Sequence, residues 1–256
     1  MAGEDILLSK YGKALTLTLN RPERLNVLDN KLIEELIDLI KSYENDENIR
    51  VIVLRGAGGK AFCAGVDINY LSGLKTSEER RAFSLLADEL FFLIEFMGKV
   101  FIAAIDGYCL GGGLELAMAC DIRIATKNSS FGLPETKLGI IPGGGGTQRF
   151  PQIVGVQKAK ELLFTSDIVG ADEAFRLGIL NDVTGNDKLA EKVDELVGKI
   201  SANSFKAVRA SKMAINRGVQ LSGYKLENRF FVRSFEHPDQ KEGMSAFLGK
   251  RIPKFE

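Results

Sequence analysis

The chain has 256 residues, 45% hydrophobic and 27% charged, and its 34 basic and 34 acidic side chains cancel. That size and apolar share suit one large soluble domain or a domain with a helical appendage. The balanced, interspersed charge excludes a basic stripe for nucleic acid or a polybasic cluster for a membrane surface.

In chain order, Ile6–Lys10 and Leu15–Asn20 read as strands around Tyr11-Gly12, the second a half-buried strand in which Leu15, Leu17 and Leu19 alternate with Thr16 and Thr18. Asp29 is placed to cap a helix running to about Tyr43, with Leu32, Ile33, Leu36, Ile37 and Ile40 on one face. Ile49–Arg55 is a short apolar strand, and Gly56-Ala57-Gly58-Gly59 turns the chain into Ala61–Ile68. Ser77–Met97 is predicted to be a helix, Val100–Ile105 a strand, Leu114–Cys120 a short helix and Asp121–Ala125 a strand. Ile141–Thr147, with four consecutive glycines, reads as a flexible loop forming a pocket wall, and strands end by about Val183. Leu189–Ile200, Ser204–Asn216 and Lys225–Arg233 read as helices. Helices crossing back between apolar strands make an α/β core, here expected over residues 1–190, with a helical region over 191–256.

No apolar run is long enough to span a bilayer, and the acidic start Met1–Asp5 has no signal-peptide pattern. Cys63, Cys109 and Cys120 lack metal or redox spacing and read as buried, reduced thiols, which suits a cytoplasmic protein. The single histidine, His237, reads as a loop residue. Histidine-rich zinc sites are thereby excluded, no metal site is expected, and no Gly-x-Ser-x-Gly elbow accompanies a serine nucleophile. The glycine-rich stretches match neither the P-loop nor the dinucleotide fingerprint, so neither ATP nor NAD is expected.

Glu115 and Glu135 carry the strongest chemical signal. Each lies in a glycine-bearing, otherwise apolar segment, Gly111-Gly112-Gly113-Leu114-Glu115 and Phe131-Gly132-Leu133-Pro134-Glu135. Buried carboxylates near one another serve as acid and base around neutral pH. The plainer readings are an acid at a helix N-terminus for Glu115 and a loop acid for Glu135. Ala64-Gly65-Val66-Asp67 and Gly111-Gly112-Gly113 each follow a buried strand and precede a helix. Two N–H groups from such turns can form an oxyanion hole, or the turns serve packing alone.

These segments together resemble the crotonase, or enoyl-CoA hydratase/isomerase, superfamily. The similarity rests on Arg21–Asn26, Ala61–Ile68, Ile105–Asp121, Phe131–Arg149, Gly170–Ala174 and Leu177–Asn181, and it covers essentially the whole chain. The resemblance implies a spiral of ββα units with a C-terminal helical trimerisation region, assembled as a homo-hexamer from two trimers. It implies a cytoplasmic enzyme of fatty-acid metabolism whose partner is an acyl-CoA thioester, with coenzyme A as part of the substrate and no separate cofactor. The N–H groups of Val66 and Gly112 would hold the thioester oxygen, and Arg24, Leu25, Ala64, Asp67 and Ile68 would line the substrate and CoA site. Relatives commonly carry alanine at the Val66 position; valine keeps the N–H and narrows the space beside it. The joint presence of Glu115 and Glu135 points to hydration of a trans-2-enoyl-CoA to a (3S)-3-hydroxyacyl-CoA. The same fold admits a 3-hydroxypropionyl-CoA dehydratase, a crotonyl-CoA hydratase, an enoyl-CoA isomerase or, more distantly, an RNA-binding relative.

Overall fold

The computed structural model describes residues 5–216, 228–229, 231–233, 235–236 and 238–254. His237, Met1–Glu4 and positions 225–227 and 230 of the expected last helix lie outside the described residues.

Leucine–threonine alternation builds the first hairpin. Strand β1 (Ile6–Tyr11) pairs antiparallel with β2 (Ala14–Leu19), in which Leu15, Leu17 and Leu19 are buried while Thr16 and Thr18 are half-buried. Helix α1 (Asn30–Ser42) starts where expected. The Asp29 carboxylate accepts the Leu32 N–H at 2.9 Å, and Leu32, Ile33, Leu36, Ile37 and Ile40 are its buried face.

The chain then repeats one motif of two strands and helical structure. The first turn is β3 (Val51–Gly56), β4 (Ala61–Cys63), α2 (Ile68–Gly73) and α3 (Ser77–Phe96). The second is β5 (Val100–Ile105), β6 (Tyr108–Leu110) and α4 (Gly112–Ala119). The third is β7 (Ile122–Thr126), β8 (Ser130–Gly132), a 3₁₀ helix (Pro134–Leu138), α5 (Gly146–Val154) and α6 (Val156–Thr165). Strand β9 (Val169–Gly170), α7 (Ala171–Arg176), β10 (Asp182–Thr184), α8 (Leu189–Ser201), α9 (Phe205–Asn216) and α10 (Pro238–Leu248) follow.

Each turn adds one strand to each of two sheets, ordered β1-β2-β3-β5-β7-β10 and β4-β6-β8-β9. Strands β3, β5 and β7 run parallel, as do β4, β6 and β8, so the turns stack as a spiral of ββα units. Strand β5 is buried along its whole length because both faces of its sheet are covered. On one face Phe101, Ala103 and Ile105 join the main core with Leu36, Phe62 and Leu90; on the other Val100, Ile102 and Ala104 meet Val193 and Val197 of α8.

Two sequence expectations are corrected, and further elements appear that the sequence does not announce. Helix α4 begins at Gly112, two residues before the first apolar side chain, because Gly111 (φ +51°, ψ −129°) makes the turn. The loop expected through Thr147 ends at Gly145, and α5 begins at Gly146; its glycine-rich entry and internal Pro151 hide the helix signal, and α6 follows it after the single Gly155. Strands β6 and β8, three residues each, are too short to show a period.

Helix α9 is anchored through a buried lysine. Lys212 Nζ donates to the Ile94 carbonyl, the Lys99 carbonyl and Asp121 Oδ2, each at 2.8 Å, and Asp121 Oδ2 also accepts the Phe101 N–H. Burial pushes the Asp121 carboxyl up and the Lys212 ammonium down, against their mutual attraction. Removing one member of such a pair leaves the other desolvated and uncompensated. Lys212→Met is therefore expected to destabilise the fold by about 3–5 kcal/mol, read as a lower urea midpoint; an unchanged midpoint contradicts the anchor.

Candidate active site

The segment Arg21–Asn26 is locked before it reaches the site. Asn26 is fully buried; its Oδ1 accepts the Arg21 N–H, and its Nδ2 donates to the carbonyls of Ala57 and Ala61 at 3.0 and 2.8 Å. This lays Leu25 and Leu28 beside the chain leaving β4. The Ala64 N–H donates to Leu25, the Leu28 N–H to Gly65, and the Asp67 N–H to Leu28. Leu28 and Val66 thus form a parallel bridge that uses the carbonyl before Val66 and the N–H after it. Successive groups of an extended chain point to opposite sides, so the N–H of Val66 faces away from Leu28.

It faces the start of α4. A Cβ placed on Gly112 would lie 3.7 Å from Val66 N and 2.9 Å from Val66 Cγ2, and one on Gly65 (φ +115°) would lie 3.8 Å from Gly112 N. The two backbones approach this closely only because both positions are glycine. Gly112 is the first residue of α4, so its N–H is an end group of the helix, whereas the N–H groups of Leu114 and Glu115 already donate to the Gly111 carbonyl.

The two carboxylates reach the same place from different elements. The Gly111 N–H donates to the Gly132 carbonyl at 2.9 Å, tying the end of β8 to the start of α4. The chain then enters the 3₁₀ helix through Pro134, which sets Glu135 Oε1 against Gly111, 2.9 Å from where a Cβ would stand. Glu115 lies in the first turn of α4, and its Oε1 accepts N–H bonds from Gly144 and Gly146, each at 2.8 Å. Side chains at those glycines would collide with it: a Cβ on Gly146 falls 2.8 Å from Oε1, and one on Gly144 falls 2.9 Å from Oε2. Glu115 and Glu135 are 4% and 8% exposed. Sequence reasoning assigned the glycine run to a wall and missed that it holds a carboxylate; it also passed over Asn26. In both cases the signal was a polar or bare stretch among residues that end up buried.

All the candidate residues, Arg24, Leu25, Ala64, Val66, Asp67, Ile68, Gly112, Glu115 and Glu135, line one pocket of about 540 Å³. At its mouth Arg24 forms an ion pair with Asp67, whose carboxylate also accepts N–H bonds from Asn69 and Tyr70 at the start of α2. Arg24 is about half exposed, available to an anionic ligand at the rim. The inner wall is apolar, with Leu71, Phe83, Ala87, Phe91 and Phe231. A site of this kind can hold an anionic handle at its mouth and an apolar tail inside, with two backbone donors and two carboxylates between them. The three cysteines are buried and free, and burial pushes Cys63 and Cys120 up to about 12, so these thiols stay protonated. Among the described residues no group of three or more His, Cys, Asp or Glu side chains could hold a metal, and no helix is long and apolar enough to cross a membrane.

The sequence pattern of the Enoyl-CoA hydratase/isomerase family matches residues 10–256. A crotonyl-CoA hydratase of Syntrophomonas wolfei is 44% identical over 100% of this chain and 99% of its own length. A short-chain-enoyl-CoA hydratase of Clostridium acetobutylicum is 43% identical over 96% of this chain and 95% of its own. Among solved structures, an enoyl-CoA hydratase from Bacillus anthracis superposes with a TM-score of 0.81 at 38% identity, covering 98% of this chain and 99% of that one. A carnitinyl-CoA hydratase from Mycobacterium avium gives 0.89 at 30% identity, covering 100% and 99%. The chain belongs to the enoyl-CoA hydratase/isomerase family, with the crotonase fold.

The clamp on Glu115 yields a test of the geometry. An alanine at Gly146 meets both the Pro142 ring, 2.6 Å from its Cβ, and the Glu115 carboxylate at 2.8 Å, so the loop and the carboxylate must both shift, and circular dichroism accompanies the kinetics to report the fold. Gly146→Ala is expected to lower turnover of a 2-enoyl-CoA by roughly 10- to 100-fold, the usual cost of displacing a reacting group by about 1 Å. A folded variant at wild-type rate would show that the placement of Glu115 is immaterial.

Proposed function

We propose that this protein is an enoyl-CoA hydratase whose substrate is a short-chain trans-2-enoyl-CoA, converted by syn addition of water to the (3S)-3-hydroxyacyl-CoA. The observation that carries the reading is the pair of buried glutamates sharing one pocket with two converging backbone N–H groups. The 2-enoyl thioester resists water because adding oxygen to C3 drives negative charge onto the thioester oxygen. In this mechanism the N–H groups of Val66 and Gly112 receive that oxygen; one such donor contributes roughly 3–4 kcal/mol. Glu115 takes a proton from water as its oxygen bonds to C3, and Glu135 delivers a proton to C2. The enolate collapses, and in dehydration the two carboxyls exchange roles.

Coenzyme A is the handle of the substrate rather than a cofactor. Its phosphates meet Arg24, and its adenosine end lies along Leu25, Ala64, Asp67 and Ile68. The acyl tail enters the apolar end, where Phe91 packs on Gly144 and Phe231 on Gly143. The preference for short chains rests on the relatives named crotonyl-CoA and short-chain-enoyl-CoA hydratases. The reduced, buried thiols suit the cytoplasm.

We also propose a homo-hexamer of two trimers, with residues 1–190 as the catalytic core and 191–256 as the trimerisation region. Ile215, Leu248 and Ile252 in the proposed trimerisation region, and Phe164, Ile168 and Phe175 in the core, are all about half exposed or more, apolar side chains that association would cover. Light scattering at micromolar concentration is expected to give the hexamer mass; a stable monomer refutes this assembly.

Glu115→Gln and Glu135→Gln are each expected to reduce hydration of crotonyl-CoA by about 10²- to 10⁴-fold with the fold intact. The assay follows loss of the enoyl absorbance across a series of acyl chain lengths, with crotonyl-CoA expected to lead. A glutamine variant that retains near wild-type rate removes that carboxylate from the mechanism.

A further inference from the structure

Arg149 is a buried cation that the mechanism does not use. It lies on α5, is 5% exposed, and is not among the residues lining the pocket. Its Nε and Nη2 donate to Glu95 Oε2 at 3.2 and 2.7 Å, and its Nη1 donates to the Gly144 carbonyl at 2.9 Å. The rings of Phe91 and Phe92 flank the guanidinium at 6.0 and 5.9 Å. Glu95 is itself placed by its backbone, since the Asn216 side chain donates to the Glu95 carbonyl at 2.6 Å.

The important feature is which residue Arg149 grips. Gly144 gives its N–H to Glu115 and its carbonyl to Arg149. Both positions must be bare, because a side chain at Gly144 would strike Phe91 and the Glu115 carboxylate, and one at Gly146 would strike Pro142 and the same carboxylate. A run of four glycines is also the most mobile backbone available. The space Glu115 needs and the stillness it needs are therefore in conflict, and the planar guanidinium resolves it by bridging helix α3 to the loop. A fork of this geometry holds a carboxylate and a carbonyl together, which a point-like ammonium does less well.

We propose that Arg149 is a positioning residue: by gripping the Gly144 carbonyl it fixes the backbone between the two N–H donors, Gly144 and Gly146, that orient the Glu115 carboxylate for proton transfer. This rests on the reading of Glu115 as one of the two acid–base groups.

The test uses the full-length enzyme with Arg149→Lys and Arg149→Gln, each alone and combined with Glu115→Gln. Circular dichroism reports folding, crotonyl-CoA hydration gives kcat and KM, and titration with butyryl-CoA, which has no double bond to hydrate, reports binding. The expected result is a folded Arg149→Lys enzyme with kcat lowered roughly 10- to 100-fold, and KM and butyryl-CoA affinity within about threefold of wild type. On the Glu115→Gln background neither Arg149 change should lower kcat further, because the group being positioned is already inert.

Wild-type kcat in a folded Arg149→Lys or Arg149→Gln variant overturns the proposal. So does the same fold-loss on both backgrounds, which marks a general distortion. If neither variant folds, Arg149 is a core strut and the proposal fails. Glu115→Gln alone reads the assignment of that carboxylate: at wild-type rate it removes Glu115 from the chemistry and this proposal with it, whereas a slow Glu115→Gln enzyme with unaffected Arg149 variants refutes the proposal alone.

Discussion

A carboxylate cannot be taken out of water without donors to replace it, and in this protein the donors for Glu115 are the N–H groups of Gly144 and Gly146. Much of the neighbouring structure follows from that pair of bonds. The donors come from the point where α5 begins, so the chain must return there after β8. The residues must be bare, because a Cβ would meet the carboxylate oxygens as well as Phe91 at Gly144 and Pro142 at Gly146. Phe91 of α3 packs on Gly144, so the loop that holds the carboxylate is also part of the pocket wall.

The spiral explains how so few residues from so many elements converge. In the smaller sheet β4, β6 and β8 run parallel and side by side. Their carboxyl ends therefore open on one edge. Val66 follows β4, Gly112 follows β6 and Glu135 follows β8, one contribution from each turn of the spiral. The pairing of Cys63 with Cys109, and of Leu110 with Gly132, sets the registers that make Val66, Gly112 and Glu135 neighbours. Open α/β sheets commonly place ligands beyond the carboxyl ends of their strands, and the same geometry operates here with a stack of short parallel strands.

The elements that a linear reading recovered are those with an internal period or a local cap. Helix α1 announces itself by Asp29 and its apolar stripe, α3 by its length, and β2 by strict alternation. The elements it missed draw their identity from partners far along the chain. Strands β6 and β8 are strands only because they lie against each other, and α5 is entered through glycines that ordinarily mark a loop. Asn26 and Arg149 look like ordinary surface residues until the segments around them close over them.

By itself the sequence determined the chemistry on offer. It holds two carboxylates in bare apolar segments, two glycine turns able to expose backbone N–H groups, too few histidines for a histidine-rich zinc site and no Gly-x-Ser-x-Gly elbow. Local composition settles these matters, since burial, glycine and residue type are properties of a short stretch. The tertiary structure alone decided that Val66 meets Gly112, that Glu135 lies against Gly111, and that a glycine loop 29 residues beyond Glu115 grips its carboxylate. Those are distances between segments remote in sequence. They are set by strand register and helix packing, which no single segment encodes.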